Sequence, residues 1–164
     1  MKKVFAVMLL FSLVFIMVAC EPEMYFFDKQ ELLQKTKRVE LINYCTYDIY
    51  EIDSEDEILP FDFEKIEVLE TLEPSKYNDF FQELSDIQVH YDVTYSNTPL
   101  GISLKITYKN DDFVVISGTR INDIVYGGVT HYNAQGEVID FYGQSMYLRV
   151  IDLVNEFFEI EIDS

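Results

Sequence analysis

The chain has 164 residues, 49% of them apolar and 15% aromatic, and 30 Asp and Glu against 12 Lys and Arg give it a net charge of −18. That apolar content excludes a chain disordered throughout, because burying it offsets the entropy lost on ordering the backbone. The negative field opposes nucleic-acid phosphates and anionic lipid headgroups, so no nucleic-acid partner is expected and the folded body has no electrostatic reason to adhere to a membrane. Basic peptides, polyamines, divalent ions and a basic wall component remain as partners.

The first element is a greasy run. Lys2 and Lys3 precede Val4 to Ala19, sixteen residues whose single polar member is Ser12, and the run stops at Cys20 before Glu21-Pro22-Glu23. As a helix it would rise about 1.5 Å per residue and span roughly 24 Å, short of the ~30 Å hydrocarbon core. Length therefore predicts a signal peptide rather than a permanent span. Ordinary signal peptidase cutting before Cys20 would find Ala19 at −1 but the bulky Met17 at −3, where a small residue is wanted. Met17-Val18-Ala19-Cys20 instead resembles the lipobox of bacterial lipoproteins, an aliphatic residue, two smaller ones and a cysteine. The resemblance implies a diacylglycerol on the Cys20 sulfur, a cut before it, and fatty chains of the palmitate kind holding the product on the extracytoplasmic face of the cell membrane. An uncleaved anchor and ordinary secretion are the other readings of the same stretch. Two acyl chains on one residue bind stably where one is marginal.

On this reading residues 1–19 are a lipoprotein signal peptide, 20–27 the lipidated cysteine with a short tether, and 28–164 a single domain. With Lys2 and Lys3 set aside, ten basic residues face 30 acidic ones, a net charge of −20. The tether after Cys20 reaches at most ~25 Å, which keeps the domain near the bilayer. Tyr25, Phe26 and Phe27 are expected to pack on the domain, with contact to the headgroups as the alternative. Cys45 has no partner for an intrachain disulfide if Cys20 is lipidated, and reads as a small buried apolar residue.

Asp28 with Glu31 three residues on is a capping-box spacing and predicts a short helix from 28. Residues 38–52 are rich in β-formers and predict a long strand. The acidic stretch 53–57 lacks the glycine and ligand periodicity of a calcium loop and reads as solvated. A strand follows over 64–72, with Ile66 and Val68 on one face. Tyr77, Phe80, Phe81, Leu84 and Ile87 recur at helical spacing and predict a helix over 75–86, with Pro74 and Ser75 at its start. From 88 the period becomes two. Ile102, Leu104, Ile106 and Tyr108 alternate with Ser103, Lys105, Thr107 and Lys109, which predicts one buried and one wet face. Asn110-Asp111 suits a tight hairpin turn. The stretch 112–119 predicts a central strand. Gly127-Gly128 in the next strand predicts a bulge or bend. The turn at 133–136 places Gly136 in a left-handed conformation, and a fourth strand completes a meander. Tyr147, Val150, Ile151, Val154, Phe157 and Phe158 form a second helical stripe, with Ser145 as N-cap.

Hairpin-connected strands flanked by helices predict an α+β fold, a meander-rich antiparallel sheet with amphipathic helices packed on one face. The stretch from Tyr77 to Glu159 also resembles small uncharacterised exported proteins of low-GC Gram-positive bacteria, a resemblance that implies no catalytic residues.

No nucleophile elbow, P-loop, HExxH or CxxC occurs, so no catalytic residue, cofactor or metal ligand is assigned, and Cys20 stands as the lipid attachment site. The sequence therefore predicts a lipid-anchored, non-enzymatic binding or interaction domain at the cell surface, using an acidic sheet face left uncovered by helices.

 Tyr91, Tyr95, Tyr126, Tyr132 and Tyr142 could line an aromatic ligand surface on that face. The alternative is an envelope hydrolase or metal-dependent enzyme in which the strands bring His90 and His131 together with Asp92 or Asp140. A third reading is an accessory subunit of an envelope assembly.

Overall fold

The computed structural model describes residues 24–44, 61–90, 101–121, 124–142 and 147–160. Strand β1 (Met24–Phe26) leads into helix α1 (Lys29–Lys35) and strand β2 (Thr36–Tyr44). Strand β3 (Ile66–Thr71), helix α2 (Tyr77–Ser85) and strand β4 (Gln88–His90) come next. Strands β5 (Gly101–Tyr108), β6 (Phe113–Ile121), β7 (Ile124–Tyr132) and β8 (Val138–Tyr142) then precede helix α3 (Tyr147–Phe157). Six strands form one antiparallel sheet in the order β3-β2-β5-β6-β7-β8, and β1 pairs with β4 as a separate ribbon. The α+β architecture and the four-strand meander follow the sequence expectation.

Local chemistry sets the element ends. The Asp28 side chain accepts a hydrogen bond from the Glu31 backbone N–H at 2.9 Å, which satisfies one of the free donors of α1. Asp111 adopts φ 68° in the β5–β6 turn and Gly136 φ 85° in the β7–β8 turn, the two positive values among the described residues. A 3₁₀ turn over Pro74–Lys76 opens α2, with proline where its missing N–H costs nothing.

The register explains the core. Leu41, Leu104, Ile116, Val129 and Tyr142 lie opposite one another across five strands. A second row on the same face runs Val39, Ile106, Val114, His131, Asp140. This face meets the helices: Leu32 of α1, Phe80, Phe81 and Leu84 of α2, and Leu153, Val154, Phe157 and Phe158 after them join its cluster. Phe80 sits edge-on to Phe157 at 5.4 Å and to Phe81 at 5.5 Å, so aromatic rings lock α2 to α3.

Three expectations are corrected. The tether expected over 20–27 is shorter: Met24–Phe26 form β1 and Phe27 is buried, so the folded part includes residues 24–27. The alternating polar residues of β5 are not wet: Ser103, Lys105 and Thr107 are 0%, 4% and 4% exposed. Phe61, in a strap (residues 61–65) that lies over this second face, packs there with Ile42, Phe113, Val115 and Tyr132. The pairing of β6 with β7 runs through Gly127 and Gly128 without a shift, opposite Gly118 and Ser117. The irregularity in β7 falls instead between His131 and Tyr132, against β8. Val68 shares a face with Ile66 but stays 47% exposed, because β3 is an edge strand. The continuation of the β2 strand beyond Tyr44, Cys45, the 53–57 loop and Ser145 lie outside the described residues.

Candidate functional site

Where the second apolar row reaches the sheet edge, its residues turn polar, and a cleft opens there beneath α1 and β1. His131 continues the row Val39, Ile106, Val114 and faces Asp140 on β8. Tyr108, two residues beyond Ile106 on β5, lies on the same face. The cleft has two adjoining hollows that share Lys35, Tyr108 and His131. The one under β1 holds about 250 Å³ and is lined further by Tyr25, Phe26, Asp28, Glu31 and Leu32. The other holds about 350 Å³ and extends past Gln34, Lys109 and Asp112 towards Ile139.

Tyr25 organises the first hollow. Its ring stacks on Tyr142 at 4.3 Å with 26° between planes and meets His131 edge-on at 5.5 Å. Tyr142 also meets His131 edge-on at 5.6 Å, closing a three-ring cluster. The Tyr142 hydroxyl donates to Asp140 Oδ2 at 2.8 Å. The Tyr25 and Phe27 rings are T-shaped at 5.0 Å, which holds β1 down while Phe26 stays 53% exposed.

Burial governs the ionisation of these groups. It holds the His131 imidazole below its ordinary value; Lys35 adds to that shift, while Asp140 and Glu31 oppose it. The His131 Nε2 is buried and has no hydrogen-bond partner among the described residues. Burial, reinforced by the charge of Glu31, pushes the Tyr108 phenol up to about 12. It raises Tyr25 as well, with Tyr108, Tyr142, Glu31 and Asp140 acting in the same direction. Both phenols are therefore neutral donors at physiological pH. Lys35 pairs with Glu31 one turn back on α1 and lies 6.0 Å from the Tyr108 ring centroid.

A second unusual group lies on the opposite face. The Lys105 ammonium sits 4.8 Å from the Phe113 ring centroid, 5.5 Å from that of Phe63 and 5.6 Å from that of Phe61. Glu40 Oε2 is 3.8 Å from it, and the same oxygen is 3.1 Å from Arg38 Nε. Burial lowers the Lys105 pKa, Glu40 opposes the shift and Arg38 adds to it. This lysine is enclosed by rings rather than presented to a ligand.

The residues singled out from the sequence separate as follows. His131 and Asp140 are brought together. His90 lies opposite Met24 in the β1–β4 ribbon, one pair from Tyr25, and its side chain is outside the described part of the structure, as are Asp92 and Cys20. Among the described residues no three His, Cys, Asp or Glu are placed to hold a metal ion. Tyr132 and Tyr142 do not share a surface: Tyr132 stacks on Phe113 at 5.1 Å on the second face, whereas Tyr142 packs on the helix-covered one. Tyr91, Tyr95 and the Tyr126 side chain lie outside the described residues. Sequence reasoning missed Tyr25, Lys35 and Tyr108 as cleft residues. The Glu31–Lys35 spacing and the aromatic density of 25–27 were the available signals, and both also fit ordinary helix pairing and core packing.

Comparison of the chain with protein-family models, curated proteins and solved structures gave no match. Among the described residues no helix is long and apolar enough to cross a membrane.

Proposed function

We propose that the protein is a lipid-anchored, extracytoplasmic binding domain, held to the membrane through Cys20, that recognises a cationic partner through the cleft beneath α1 and β1. The observation that carries the anchor is the order of features in the sequence: Lys2-Lys3, sixteen nearly uninterrupted apolar residues, then Met17-Val18-Ala19-Cys20. Strand β1 begins at Met24, four residues after Cys20. Four extended residues reach at most ~14 Å, so on this reading the cleft sits beside the bilayer. The excess of carboxylates supports a basic peptide, polyamine or basic wall component as partner, and gives no support to nucleic acid. The binding reading is supported by the packing of the His131 imidazole between the rings of Tyr25 and Tyr142, which makes it part of the cleft wall.

Metabolic labelling with a clickable palmitate analogue in a bacterial host tests the anchor. The wild-type chain takes up label and sediments with membranes, and Cys20→Ser does neither. An unlabelled wild-type product that fractionates like Cys20→Ser overturns the reading.

A further inference from the structure

We propose that the hollow roofed by Tyr25 and Phe26 receives an organic ammonium group, the head of a free polyamine or of a lysyl side chain in a basic peptide. This deepens the proposed binding role and rests on it. Three observations carry it.

The first is the lining. Tyr25, Phe26, Tyr108 and His131 supply aromatic surface, and Asp28 and Glu31 supply carboxylates. Rings attract a cation through their quadrupole, and carboxylates neutralise its charge, so the combination suits an ammonium stripped of part of its water. At about 250 Å³ the hollow falls below the ~300–1,000 Å³ of drug-sized sites, and takes a head group with a short methylene stem.

The second is the field. The charge of Glu31 reaches Tyr25, Tyr108 and His131, and that of Asp140 reaches Tyr25 and His131, in each case favouring the protonated form. Negative potential from two elements, α1 and β8, thus reaches the same rings, with the charge of Lys35 opposing it at His131.

The third is an ammonium already at the mouth. Lys35 pairs with Glu31 and lies 6.0 Å from the Tyr108 centroid, so the chain's own cation occupies the place a ligand would take. Its side chain is 55% exposed and sits in the last turn of a short helix, free to swing into solvent. Binding is then an exchange: a ligand ammonium takes Glu31 and the Tyr108 face, and Lys35 is released to water.

The test uses the full-length chain in non-ionic detergent, titrated with spermidine and with N-acetyl-lysine methylamide. Calorimetry and tyrosine fluorescence report binding, the latter unobscured because the chain has no Trp. Glu31→Gln is expected to weaken binding about threefold or more and Lys35→Gln to tighten it about twofold. Glu64→Gln and Lys65→Gln, which make the same charge changes on the Phe61 strap, are expected to leave it unchanged. Binding of only one of the two probes identifies the source of the ammonium and supports the proposal. It is overturned if the paired variants shift affinity equally, or if neither probe binds at about 10 mM. The palmitate experiment bears on the anchor alone, so the two failures are distinguishable.

Discussion

At the scale of single residues, His131 and Lys105 carry the electrostatic tension of the fold. The His131 imidazole is held below its ordinary 6.5 by burial. Between that depressed value and 6.5 the unfolded chain binds more protons than the folded one, so stability rises with pH across the window and is lost as pH falls through it. His131→Phe keeps the ring packing against Tyr25 and Tyr142 and removes the titration. Its stability relative to wild type, from urea unfolding, should therefore improve between pH 7.5 and pH 5; a constant difference would show that His131 takes no part in the pH response. Lys105 poses the converse problem, a cation enclosed by Phe61, Phe63 and Phe113 with Glu40 alongside. Replacing a buried ion with an apolar group of similar size is often neutral or stabilising when its partner remains compensated. Glu40 keeps Arg38 at 3.1 Å. Lys105→Met is thus expected to change stability by less than about 1 kcal/mol, and Glu40→Leu, which strands the lysine, to cost about 3 kcal/mol or more. Equal losses in denaturant midpoints would refute that asymmetry.

At the scale of elements, the turns and amphipathic stripes were legible in the sequence, and the short or distant pairings were not. Asp28 caps the next turn with its own side chain, and Asn110-Asp111 and Gly136 act through their own backbone, so composition reveals them; the five-residue stripe from Tyr77 to Ile87 repeats often enough to show its period. Strand β1 spans three residues, too few for any periodicity, and its partner β4 lies more than sixty positions away. The polar residues of β5 alternate as a wet face would, but Phe61 covers them from forty positions upstream, and nothing local announces that strap. The cleft was hidden for the same reason, since Tyr25, Lys35, Tyr108 and His131 come from four separate elements. The strap itself gives an element-scale prediction. Phe61 donates its N–H to the Gly136 carbonyl at 2.7 Å, and a Cβ on Gly136 would stand 2.7 Å from the Phe61 carbonyl oxygen. Gly136→Ala combines that clash with a positive φ that costs an L-residue about 1–2 kcal/mol. A loss of at least about 1 kcal/mol in urea unfolding is expected, together with faster acetylation of Lys105 as the strap loosens. Unchanged stability would mean that the turn accommodates a side chain by moving.

At the scale of the molecule, charge decides the response to salt. Twelve basic residues can neutralise at most twelve of the 30 carboxylates, which leaves at least 18 without a countercharge. The ion pairs Lys37–Asp111 and Lys65–Asp62 lie at the surface with side chains 37–60% exposed, and such pairs contribute little each. Two effects of salt therefore compete. Screening weakens the few attractive pairs, and it weakens the repulsion among the surplus carboxylates. The surplus is larger than the number of pairs, so repulsion dominates the balance, and the Debye length falling from about 30 Å at 0.01 M to about 8 Å at 0.15 M removes most of it. The melting temperature should rise with sodium chloride over that range, measured at pH 7.5 where His131 is neutral in both states. Potassium chloride should act alike, because screening depends on ionic strength and not on the cation. A melting temperature that fell with salt would place the attractive pairs above the surplus charge, and one that rose with only one of the two salts would point to a bound ion instead of a field.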